Sequence, residues 1–385
     1  MKRWKLDRRM LVIAGASAIL AGCQVIPKGP TTSTAPEPTP TPTPSESGLP
    51  DDEERHRVAL LVPMSGTNGA VGQSIANATT MALLDTNADN LRITTYDTST
   101  NARDAARRAI ADGNKLILGP LLGSNVGQVL AEARPADVPM ISFSNDTSVA
   151  GAGVFLMGHI PEQSIARSVA YARQRGSANF AAIVPDGEYG RRAEAALSAA
   201  VVESGGRVVA TETYTRSNTS VVSAAQRIAG EGGFDTVLLA DGARLASLAA
   251  RELRSDGGTM QILGTELWSG ESAVTSAAAL RGALFAAVSD ARFKRFSDSY
   301  RSRFGSQPYR ISTLGYDGVL LALRVAEDWQ VGRNFPVARL REEGGFLGLD
   351  GPFRFQGNGV IERAMEVREV RDGQVVIVSP APSGF

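Results

Sequence analysis

The sequence predicts an α/β protein of two doubly wound parallel-sheet lobes. Two observations carry this reading. From Arg57 onward short β-rich runs alternate with helical patterns, the order that gives parallel sheets covered by helices on both faces. That alternation then completes once and begins again, over about 330 residues in all, more than one hydrophobic core usually serves.

The chain opens with Lys2, Arg3, Lys5, Arg8 and Arg9 ahead of an uncharged run from Met10 to Leu20. That run is too short to span a bilayer, so residues 1–22 read as a secretory signal. It ends in Leu20-Ala21-Gly22-Cys23, and Cys23 is the only cysteine among 385 residues. Two small residues before a thiol suit a peptidase pocket followed by lipid attachment, and the string resembles the bacterial lipobox. Arg8-Arg9 leaves the export route open. Removing residues 1–22 takes five basic residues and Asp7 from 40 of each sign, leaving 35 basic against 39 acidic. With no basic block left, nucleic acid is not an expected partner.

Residues 23–54 form the expected tether. Eight of the 19 prolines lie here, centred on Thr39-Pro40-Thr41-Pro42-Thr43-Pro44. Such a stretch buries no apolar surface and, at ~3.1 Å per residue in polyproline geometry, reaches on the order of 90 Å.

In the first folded unit, Val58–Val62, Leu91–Tyr96, Lys115–Leu118 and Val138–Phe143 read as strands. Val71, Ile75, Ala78 and Ala82, spaced four, three and four apart, form a helical stripe that packs on them. The second unit repeats the plan with Phe180–Val184, Arg207–Thr213, Phe234–Ala240 and Met260–Leu263. The join is expected near Gly158 to Glu162, after a strand at Val154–Met157. A strand at Ala283–Val288, helices at Phe293–Phe304 and Ser312–Trp329, and a β-rich tail from Gly351 are expected to return and complete the lobes. The expected division is 55–160 with 284–348 for one lobe and 161–283 with 349–385 for the other.

Catalytic signatures are missing from the sequence. The two histidines, His56 and His159, lack a second ligand at metal-binding spacing, and there is no G-x-S-x-G elbow or Walker lysine. Gly66, Gly69 and Gly72 follow a strand but lack dinucleotide-fingerprint spacing, so they read as turn and helix-packing glycines. Neither cofactor nor metal is expected, and the chain is not expected to be an enzyme.

Five strings give a family resemblance: Leu61-Val62-Pro63-Met64-Ser65-Gly66, Ile117-Leu118-Gly119-Pro120, Pro139-Met140-Ile141-Ser142, Pro185-Asp186-Gly187-Glu188-Tyr189-Gly190 and Gly315-Tyr316-Asp317. In order and spacing they resemble type 1 periplasmic binding proteins of the leucine/isoleucine/valine-binding family, over about residues 56–385. The resemblance implies two lobes joined by three hinge crossovers around a central cleft, with a small ligand trapped there by hinge closure. It also implies that one lobe grips an amino-acid carboxylate through a serine while an acidic residue of the other meets the ammonium.

The family's serine falls at Gly123, its small and threonine positions at Ser144 and Asp146, its acid at Glu266 and an aromatic contact at Tyr189. A second aromatic falls at Gly242, where no ring exists. Asp146 would repel a carboxylate. The helix expected near Ser124-Asn125 would offer free N–H groups to an anion. Each residue also has a structural alternative: Ser124 as a helix cap, Asp146 in an Asx turn, Glu266 as a loop carboxylate or interlobe ion pair, and Tyr189 packed over a helix start.

Leu263-Gly264-Thr265-Glu266-Leu267-Trp268 and the tail from Phe353-Arg354-Phe355 to Glu362-Arg363 look closest to the penicillin-binding protein activator branch, lipoproteins that reuse this fold. Two functions are therefore expected. The first is capture of an amino-acid-like solute for ABC transport. The second is regulation of a peptidoglycan synthase, from a lipid anchor that Gln24 after Cys23 assigns to the outer membrane more than the inner.

Overall fold

The computed structural model describes residues 54–255 and 257–385; the expected signal segment, Cys23 and almost all of the tether lie outside them. The described residues belong to one compact unit. The first half runs β1 (His56–Val62), α1 (Gly69–Thr86), β2 (Leu91–Asp97), α2 (Ala102–Ala111), β3 (Leu116–Leu118), α3 (Gly123–Ala133), β4 (Met140–Ser142) and β5 (Val154–Leu156). These strands make a five-stranded, all-parallel sheet in the order β2-β1-β3-β4-β5.

The chain then crosses and repeats the winding: α4 (Pro161–Gln174), β6 (Asn179–Pro185), α5 (Glu188–Glu203), β7 (Arg207–Tyr214), α6 (Asn218–Glu231), β8 (Thr236–Leu239), α7 (Ala243–Leu253), β9 (Gln261–Leu263), a short α8 (Ser272–Ser276) and β10 (Leu284–Ala287). After α9 (Phe293–Phe304) and α10 (Thr313–Ala326) come β11 (Phe346–Gly348), β12 (Gly351–Phe355) and β13 (Ile361–Arg363). The hairpin of β14 (Glu366–Arg371) and β15 (Gln374–Ser379) closes the chain. The second sheet is β15-β14-β10-β9-β8-β6-β7, its five wound strands repeating the first lobe's order.

Alternation along the strands explains the double winding. Phe180, Ala182 and Val184 pack with Ile165, Val169 and Leu197 of α4 and α5. Ala181 and Ile183, pointing the other way, pack with Val221 of α6 and Ala246 of α7. A strand buried on both faces needs apolar residues at every position, which is why these read as continuous runs.

The lobe boundaries differ from the sequence expectation in two places. β10 was expected in the first lobe, yet Leu284 pairs in parallel with Leu263 of the second sheet. The segment after 348 was expected in the second, yet Phe353, Phe355 and Ile361 are buried in the first lobe's core. Three crossings result, between β5 and α4, β10 and α9, and β13 and β14.

Both lobes share a device at the entrance of their first helix after the first strand. A Cβ on Gly72 would stand 1.7 Å from the Pro63 carbonyl oxygen, and one on Gly190 1.8 Å from that of Pro185. Only glycine lets α1 and α5 approach so closely. Gly72 thus serves packing, and Gly66 a left-handed turn at φ +69°.

Candidate functional site

The residues expected at the site follow the carboxyl ends of β3, β4, β6 and β9, the edge at which doubly wound sheets leave a crevice. On the first lobe, the Ser142 hydroxyl donates to the Pro120 carbonyl at 2.8 Å and accepts from Ser144 N–H at 3.1 Å. Ser144 is buried and accepts from Asp146 N–H at 3.0 Å. Asp146 Oδ1 takes the Ser148 N–H at 3.0 Å and its hydroxyl at 2.6 Å, an Asx turn.

These two side chains lie against the start of α3. A Cβ on Gly123 would meet Ser144 Oγ and Asp146 Cβ at 3.0 Å and Asp146 Oδ2 at 3.1 Å. The room a larger residue would need at 123 is taken by the loop carrying Asp146. Ser124 is exposed; the position capping α3 is Leu122, which has no side-chain acceptor to offer.

On the second lobe, Tyr189 stands in the first turn of α5 and Glu266 in a single 3-10 turn after β9. The turn is fixed by its neighbours. Trp268 is buried with its indole N–H on the Asp241 carbonyl at 2.9 Å, and its ring lies where a Cβ on Gly264 would be. Tyr189 Oη bonds Thr265 Oγ1 at 2.9 Å and Glu266 Oε1 at 3.1 Å. The other oxygen, Glu266 Oε2, is buried and has no hydrogen-bond partner among the described residues. Burial raises the Glu266 carboxyl to about 7, with Glu162 adding repulsion. Burial and the Glu266 charge push the Tyr189 hydroxyl well above its usual value.

Arg192 joins the lobes. Its Nε and Nη2 grip Glu162 at 2.7 Å each, and Nη2 also donates to the Asn145 carbonyl of the first lobe at 2.7 Å. Sequence reading missed it because Glu162 is 30 residues away. Its place one helical turn after Tyr189, on the same face, was the available signal. Gly123, Ser144 and Asp146 thus lie together in the first lobe, and Tyr189 and Glu266 together in the second. Gly242 caps α7 beside Asp241.

A second buried polar cluster ties the crossovers. Asp350 Oδ1 accepts from Arg310 Nη1 at 2.7 Å; Oδ2 meets His159 Nε2 at 2.8 Å and Thr313 Oγ1 at 3.0 Å. Arg363 Nη2 donates to the Met157 carbonyl at 2.8 Å, and Arg368 to the Val288 carbonyl and Asp290, so arginines of the third crossing hold the first and second. Arg310 with its neighbours holds the Asp350 carboxyl far below its usual value, while burial beside Asp350 raises Asp317 to about 7. Burial lowers His159. Among the described residues no group of three metal-ligating side chains occurs, and no helix is long and apolar enough to cross a membrane.

Residues 56–374 match the family of periplasmic binding proteins, and the chain belongs to it. A putative branched-chain amino acid ABC transporter protein from Rhodospirillum rubrum superposes with TM-score 0.73 at 21% identity, over 84% of this chain and 100% of that one. A leucine binding protein from Thermotoga maritima gives 0.65 at 20%, over 85% and 98%. A solute binding protein from Rhodopseudomonas palustris, solved with 3,4-dihydroxybenzoic acid, gives 0.67 at 19%, over 86% and 98%. An uncharacterized protein of Rickettsia prowazekii is 25% identical over 179 residues, 46% of this chain and about half (48%) of the relative's own length.

Proposed function

We propose that this chain is an extracytoplasmic solute-binding protein, lipid-anchored through Cys23, that captures a small polar, amino-acid-like ligand between its lobes for an ABC transporter. The observation that carries the reading is Glu266 Oε2, a buried carboxylate oxygen without a hydrogen-bond partner among the described residues, in the turn that follows β9. A buried polar atom left unmet costs on the order of 1–3 kcal/mol, which a ligand donor would recover. Similarity to proteins whose names and titles describe leucine binding or a bound aromatic acid supports the same reading.

A thermal-shift screen of small solutes tests this. A bound solute raises the transition in proportion to RT ln(1 + [L]/Kd). The rival reading, a regulator of peptidoglycan synthesis on the outer membrane, is favoured by Gly123, whose side-chain room is already filled by Ser144 and Asp146. It predicts that no solute shifts the transition while a transpeptidase is recovered by pull-down.

A further inference from the structure

Carboxyl groups of both lobes gather around Arg192. Asp146 comes from the first lobe and Glu266 from the second, and Glu162 and Asp241 stand behind them. Arg192 and Arg216 lie among these carboxylates, and both are engaged. Arg192 holds Glu162 and Asn145. Arg216 holds Asp241 at 2.9 Å while lying 5.9 Å from the Tyr189 ring centroid. Glu188 and Arg191 at the rim pair with each other and cancel.

Positive potential is available at the start of α3, where the first N–H groups of a helix have no partner within it. Asp146 Oδ2 already stands there, 3.1 Å from the place a Gly123 Cβ would occupy. A carboxylate arriving at α3 would meet this oxygen at close range and Ser144 Oγ beside it. Like charges at such range repel, and Arg192, the cation that acts on Asp146, is already bound to Glu162 and the Asn145 carbonyl. At the opposite wall lies a buried acceptor, Glu266 Oε2, with nothing donating to it, next to a tyrosine hydroxyl already used on Glu266 Oε1 and Thr265.

Resting on the solute-capture reading above, we infer that the ligand is a small organic cation, whose amine or guanidinium donates to Glu266 Oε2 and which carries no carboxylate against α3. The cleft keeps the half of an amino acid that is an amine and refuses the half that is an acid. Binding draws the Glu266 proton off, so it strengthens as pH rises through 7.

Calorimetric titration of the purified full-length protein with putrescine and agmatine, against leucine and benzoate, tests this. At least one of the two amines binds, the acids do not, and Glu266→Gln weakens the amine at least tenfold. Amine uptake releases protons, seen as a heat that depends on buffer ionisation and vanishes in E266Q. Asp146→Asn, which keeps the turn's shape, admits benzoate or leucine. Should leucine or benzoate bind the unaltered protein, or should E266Q bind the amine as well as before, the inference is overturned and solute capture stands. If amines and acids all fail on both the unaltered protein and D146N, solute capture falls with it.

Discussion

Glu266 and Asp350 are both buried carboxylates near the junction of the lobes, and they differ in what surrounds them. Asp350 has Arg310 on one oxygen and His159 and Thr313 on the other. Glu266 has the Tyr189 hydroxyl on one oxygen and nothing on the other. Burial raises the pKa of both; donors and cations reverse it for Asp350 and leave Glu266 at about 7. A saturated buried charge holds structure together, whereas an unsaturated one on a cleft wall is poised for a ligand.

The sharpest way to break the comparison is to remove each carboxylate. Asp350→Ala leaves Arg310 buried without its main partner and is expected to cost about 3–5 kcal/mol in denaturant unfolding. Glu266→Gln is expected to be neutral or stabilising at pH 8. Equal losses at both sites would erase the distinction.

The pH dependence is the next largest effect. Glu266 holds its proton more tightly folded than at the unfolded value of 4.5, so its contribution is full below 4.5 and is lost as pH rises through 7. The span of about 2.5 units sets a ceiling of roughly 3 kcal/mol at 1.36 kcal/mol per unit. Thermal melts from pH 5 to 8 should fall less steeply in E266Q than in the parent; parallel curves would remove the shifted carboxyl.

Asp317 sharpens the contrast inside the hinge cluster. Raised to about 7 beside Asp350, it accepts from Leu349 N–H at 2.6 Å. Asp317→Asn should cost no more than about 1 kcal/mol at pH 6, well under the Asp350 loss, because the amide oxygen still accepts that bond. Smallest is Arg192→Gln, which breaks the Glu162 pair and the bond to Asn145: about 1 kcal/mol or less in melting, with a longer spin-label distance between positions 148 and 191.

Strand identity was legible because each strand buried on both faces, such as Phe180 to Val184, carries an unbroken apolar run. Lobe membership was less so. An apolar run does not name its partner, and Leu284–Ala287 joined the second sheet while Phe353 packed into the first lobe's core, each opposite to expectation, because pairing and packing are set by tertiary contact. At the site, Gly123, Ser144, Asp146, Tyr189 and Glu266 were named from the sequence; the first three lie together in one lobe, and Tyr189 hydrogen-bonds Glu266 in the other. Arg192 and the His159–Asp350 pair were not, since their partners lie 30 and 191 residues away. Nothing local in the sequence marks a charge as satisfied or waiting.

The central claim is that Glu266 is the unmet charge of the cleft. Carbon-13 NMR titration of its side-chain carboxyl, assigned by loss of the signal in E266Q, measures it directly. The account predicts a midpoint near 7 that moves downward when a binding amine is added. A midpoint near the ordinary 4.5, unmoved by every amine and acid tried, would contradict it.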